Sequence, residues 1–217
     1  MKIKNTPKLV LELCSLFVLV PAVLAYSPYA WLNIMAVILA LCLLVEAIKQ
    51  EWSTVSFSII LAKLRSVTVS RQTWYRILGK WFVFASIACL LVYIYLPDKL
   101  FHVLINQPIL WLIIVLIYTF LSVLPQEFLY RTFFFKRYAV LGLTQSWFIF
   151  LNALLFSLGH LMFHNNLVMV LTFCGGLLFA YTYTQTKSFI AICVEHALYG
   201  LWLFTVGIGG MLAFPGG

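Results

Sequence analysis

Apolar residues in this chain come in long runs separated by short polar connections, at about 9–26, 29–48, 80–97, 108–135, 145–163, 167–186 and 188–208. Each run is close to the ~20 residues a helix needs to cross a bilayer. The pattern predicts an all-α polytopic bundle of about seven transmembrane spans. No separate soluble domain fits, because the longest stretch outside the pattern is the 49–80 connection. The organisation expected is an N-terminal set of spans over 1–107, carrying a basic cytoplasmic loop at 49–80, and a helical core over 108–217. The start of the chain, basic over Met1–Lys8 and apolar over Leu9–Ala25, is read as a retained first span, with a cleaved leader as the alternative.

Charge gives the spans a direction. Of fourteen Lys and Arg residues, thirteen fall on one side of this arrangement or on its helix ends, and only Lys99 lies opposite. The positive-inside rule then places the N-terminus inside and the C-terminus outside. The composition, 64% hydrophobic and 9% charged, agrees with membrane embedding. A net charge of +8 could point to nucleic acid, but the basic residues cluster between apolar runs rather than along one face. They read as topology signals and contacts for anionic headgroups, and no nucleic-acid partner is expected. Five scattered cysteines without a C-x-x-C pair read as reduced, packed thiols. No internal repeat supports an inverted-repeat transporter.

Against this background the polar residues inside the runs stand out. Glu12, Glu46, Glu51 and Asp98 lie at helix ends or in connections, whereas Glu127 and Glu195 do not. Glu127 and Arg131 are one helical turn apart and can pair on one face. With Lys136, Arg137, Ser146 and Lys187 as marks of the inner surface, Glu127 sits roughly 14 Å deep, His160 about 21 Å and His196 about 14 Å. Three titratable groups from three spans reach similar depths, and ionisable residues there usually serve function. Glu195 adjoins His196 but is turned ~100° around the helix. It reads either as a buried paired carboxyl or as a support. His164 lies near the outer surface and reads as a helix-to-helix hydrogen bond.

A carboxylate and an imidazole sharing a water can deprotonate it for attack on a peptide carbonyl. A second imidazole can stabilise the oxyanion. This assigns Glu127 and His160 to water activation, His196 to the oxyanion and Arg131 to holding Glu127. No cofactor is expected. The alternative is a zinc site built from His160, His164, His196 and Glu127, although H-E-x-x-H is absent.

Three segments resemble the motifs of the CPBP family, the intramembrane proteases that include the eukaryotic CAAX endoprotease and many bacterial relatives. Gln126-Glu127-Phe128-Leu129-Tyr130-Arg131 resembles E-E-x-x-x-R, Phe156-Ser157-Leu158-Gly159-His160 resembles F-x-x-x-H, and His196-Ala197-Leu198-Tyr199-Gly200 resembles H-x-x-x-N. The resemblance covers about 121–207. It implies an endopeptidase of the bacterial inner membrane acting on a membrane-associated peptide or protein, with the lipid bilayer as its other partner. Two positions depart from the pattern. Gln126 stands where the family keeps the glutamate assigned to water activation, so either Glu127 or Glu195 does that work or the protein no longer cleaves. Gly200 replaces an asparagine that the resemblance makes an oxyanion donor. Gln126, Glu195, Asn152 and Gly200 complete the candidate set as supporting positions. The competing functions are a non-catalytic binding or immunity protein that keeps the cavity, and a proton-coupled transporter.

Overall fold

The computed structural model describes residues 6–29, 31–53 and 69–212. All regular structure among them is helical. We number the helices α1 Thr6–Tyr26, α2 Trp31–Ser53, α3 Arg71–Tyr95, α4 His102–Asn106, α5 Pro108–Leu141, α6 Gln145–Leu158, α7 Asn166–Thr186 and α8 Phe189–Thr205. Short polar caps set several of these limits. Ser70 accepts from the Thr73 amide at 3.2 Å, Asn165 from Leu167 and Val168, and Ser188 from Ala191, each satisfying orphan first-turn amides.

Among the described residues, five helices are long and apolar enough to cross a membrane: α1, α3, α5, the segment Gln145–Phe163, and α7. The other two expected spans are shorter as apolar helices, Ile34–Leu43 within α2 and Phe189–Thr205 for α8. Two boundaries also differ from those read in the sequence. The third span begins at Arg71 rather than near Lys80, because the Ser70 cap starts the helix ahead of its apolar run. The fourth continues past Phe135 to Leu141, carrying Lys136 and Arg137 within it. Much of the basic 49–80 connection lies outside the described residues.

Lipid tails are as apolar as the helix faces, so association rests on close packing and a few polar ties. Phe17 of α1 is fully buried, edge-on to Tyr130 at 5.2 Å, Phe134 at 5.5 Å and Tyr138 at 6.0 Å of α5. Glu12 then clamps the same two helices. Arg137 Nε and Nη2 donate to its two carboxylate oxygens at 2.8 and 2.6 Å, and the Tyr138 hydroxyl donates at 3.1 Å. Gly176 lets α7 approach α6, since a side chain there would press on the Ala153 backbone at 2.9 Å. Two indole N–H groups zip α3 to α8, Trp81 to the Leu198 carbonyl at 3.0 Å and Trp202 to that of Ala85 at 2.9 Å. α2 packs beside Tyr118–Glu127 of α5.

Candidate active site

The site is built on an irregular helix. α5 carries two π-helical turns, Tyr118–Val123 and Phe128–Phe133, on either side of Leu124–Glu127. The first precedes Pro125, which has no N–H to return to the preceding turn and whose ring crowds the carbonyl there, so the ladder widens. The second contains Tyr130, whose carbonyl accepts from Asn152 Nδ2 of α6 at 2.6 Å. A side chain inserted into the ladder has the same loosening effect. Between these turns Gln126 and Glu127 point in different directions.

Glu127 is fully buried. Its Oε1 accepts from His196 Nδ1 at 2.8 Å, and its Oε2 lies 3.4 Å from Arg131 Nε. Arg131, also fully buried, supplies the compensating positive charge. Its guanidinium carbon lies 4.6 Å from the centre of the Phe156 ring and 5.8 Å from that of Phe179, a cation–π setting that suits a desolvated arginine. His196 is held on a second side by Phe179, stacked at 4.8 Å and 22°. An imidazole bound at Nδ1 by a carboxylate keeps its proton there and presents the lone pair at Nε2.

His160 lies just beyond the end of α6 and turns its Nδ1 to the Phe156 carbonyl at 2.8 Å. A carbonyl oxygen only accepts, so this ring too carries its proton on Nδ1 and its lone pair on Nε2. Phe156 separates the two histidines, with ring centres 4.7 Å from His160 and 5.6 Å from His196. Both histidines line a mostly apolar cavity with about 170 Å³ of room for water-sized molecules, together with Gln126, Tyr118, Phe179 and Gly200.

The convergence expected from depth is therefore present, with one redistribution. Glu127, expected to act directly on water, does not line the cavity; it stands behind His196. Gln126 takes the cavity wall, with its amide nitrogen donating to Ser122 Oγ at 2.9 Å. Glu195 is fully buried, and Lys80 Nζ reaches its Oε1 at 2.6 Å from α3. It too is not part of the cavity wall. Asn152 shapes α5 rather than facing the cavity. His164 is carried away by a left-handed backbone turn, φ 48°, and its Nε2 bonds the Ala25 carbonyl at the end of α1 at 3.0 Å. The zinc set of His160, His164, His196 and Glu127 is thus not assembled. No group of three or more His, Cys, Asp or Glu among the described residues is placed to hold a metal.

Sequence reasoning missed Lys80, which its position assigned to the basic connection, and Tyr118, whose place against α8 has no local signal. Phe179 escaped notice as one aromatic among many.

These features define a class: an all-helical protein whose apolar helices enclose a cavity with two histidines, one of them backed by a buried carboxylate–arginine pair. Residues 108–202 match the family model described as Type II CAAX prenyl endopeptidase Rce1-like. That match and the three motifs make this part of the chain similar to the CPBP-type membrane endopeptidases, and with its apolar helices the protein is a multi-pass membrane protein. No curated protein and no solved structure matches the sequence.

Proposed function

We propose that this protein is an endopeptidase of the bacterial inner membrane that hydrolyses a peptide bond in a membrane-associated peptide or protein. Water is its nucleophile and His196 its general base. The hydrogen bond between His196 Nδ1 and Glu127, 2.8 Å long, carries the reading. A carboxylate in that position fixes the imidazole's tautomer and stabilises the imidazolium as it forms. Nε2 of His196 takes a proton from water as the oxygen attacks the carbonyl carbon. The imidazolium later gives that proton to the leaving nitrogen as the C–N bond breaks. Nε2 of His160 accepts the water's other hydrogen and aims its lone pair. Arg131 keeps Glu127 charge-compensated in the buried interior of the bundle. Gln126 cannot take a proton, and its carboxamide serves as a hydrogen-bonding element of the wall.

The topology proposed with it has seven spans, N-terminus inside and C-terminus outside. α8, at seventeen residues, spans about 26 Å, a shortfall that local bilayer thinning absorbs. The basic end of the bundle supports the orientation, since Lys187 Nζ lies 5.8 Å from the Phe135 ring, next to Lys136 and Arg137. Purified protein in nanodiscs with a processed partner should lose cleavage by a factor of about 10² to 10⁴ on His196→Ala or His160→Ala. Full activity in both variants ends the proposal.

The second reading, a binding or immunity protein that keeps the cavity without cleaving, draws on Gln126 as the cavity-wall residue. Gln126→Glu discriminates between the two. Cleavage appearing from nothing favours the binding protein, and cleavage unchanged or reduced favours the enzyme.

A further inference from the structure

Each imidazole in the cavity wall has its Nδ1 committed, His196 to Glu127 and His160 to the Phe156 carbonyl, both at 2.8 Å. Both therefore offer a lone pair at Nε2. That arrangement holds and deprotonates water, but it gives no proton to a carbonyl oxygen gaining charge. Hydrolysis here requires another donor. Gln126 commits one hydrogen of its amide nitrogen to Ser122 Oγ at 2.9 Å.

Gly200 shows where the donor stands. A side chain at 200 would collide with the Tyr118 hydroxyl, which lies against α8 one turn beyond His196. The Tyr118 ring is fixed edge-on to His196, at 6.0 Å and 86°, and to Phe204, at 5.0 Å and 72°. It enters the cavity wall from the first π-helical turn of α5. Tyrosine and glycine are thus complementary across the helix contact: the space left by one holds the hydroxyl of the other.

We infer that the Tyr118 hydroxyl is a catalytic hydrogen-bond donor that stabilises the oxyanion of the tetrahedral intermediate. The inference rests on the endopeptidase reading above. As water adds, the new C–O bond forms and the carbonyl π pair moves to oxygen. Tyr118 donates a hydrogen bond to that oxygen without giving up its proton, and the bond weakens again as the C–N bond breaks.

The test uses full-length protein in nanodiscs and an internally quenched reporter peptide with a leucine-rich membrane segment. A trifluoromethyl ketone of that peptide, which hydrates to a tetrahedral mimic, and the matching methyl ketone are the binding probes. Tyr118→Phe should lower kcat about 10²-fold, leave KM within about threefold and weaken the trifluoromethyl ketone but not the methyl ketone. If kcat stays within about threefold of the parent, or both ketones weaken equally, the tyrosine assignment is overturned. Should Tyr118→Phe lower the melting temperature, 3-fluorotyrosine at 118 replaces it. Its more acidic hydroxyl should tighten the tetrahedral mimic, and no tightening overturns the assignment. Full cleavage retained in both His196→Ala and His160→Ala removes the endopeptidase reading above and the tyrosine's role with it. Parent protein that neither cleaves the reporter nor prefers the trifluoromethyl ketone removes both.

Discussion

Among the described residues two carboxylates are fully buried, Glu127 and Glu195, and their surroundings are opposite in kind. Glu127 finds its cation one turn along its own helix, in Arg131, itself fully buried. Glu195 draws its cation from a distant helix, and Lys80 remains a third exposed. The first pair can form as soon as α5 forms. The second requires α3 and α8 to dock, so it ties the N-terminal spans to the core. Only the first is completed by a cavity-lining histidine. The comparison teaches that burial of a charge does not by itself connect a group to the cavity; the connection exists where a remaining carboxylate oxygen meets a side chain that lines it.

The strongest way to break this contrast is Glu127→Ala. It leaves Arg131 without a counter-charge and His196 without its orienting partner. Loss of cleavage together with about 3–5 kcal/mol of stability is expected, measured by reporter cleavage and denaturation in mixed micelles. A weaker perturbation follows from removing both charges. Glu127→Gln with Arg131→Met should be more stable than either single variant, because replacing a whole buried pair costs less than stranding one member. Melting temperatures of the four proteins check this, and additivity would show that the two residues do not act as a pair. Cleavage should stay lost in the double variant.

Gln126→Glu sharpens the division between wall and support. A second carboxylate beside Glu127 should leave cleavage unchanged or reduce it by up to about tenfold, read with the same reporter. Gain of activity from an inactive parent would move the base to position 126. The smallest effect is expected at Glu195→Gln. Lys80 has a long apolar stem and can turn its ammonium toward the headgroups. About 1 kcal/mol of stability is expected to be lost, with cleavage within about threefold of the parent. Abolished cleavage in a folded Glu195→Gln protein would instead make Glu195 the water-activating carboxylate.

Much of this site is legible in the sequence. The Glu127–Arg131 spacing and the depths of His160 and His196 bring these residues together, because helix rise and bilayer thickness convert sequence position into height. Height is one coordinate only. The direction each side chain takes around its helix follows from spacing only where the turns are regular, and α5 is irregular at Pro125 and at the Tyr130 carbonyl taken by Asn152. That irregularity puts Gln126 on the wall and Glu127 behind His196. His164 shows the same limit from the other side, since a left-handed turn removes it from His160 despite helical spacing.

By itself the sequence determined the all-helical class, the apolar runs, the charge asymmetry and the chemical inventory of the site, because hydrophobic length and residue type are local properties. Tertiary structure alone decided that Lys80 crosses to Glu195, that Glu12 clamps α1 to α5, and that Tyr118 fills the space Gly200 leaves. Each of these joins residues far apart in the chain. In a bundle where nearly every face is apolar, no pattern announces which faces meet. Close packing and a few buried hydrogen bonds choose among them.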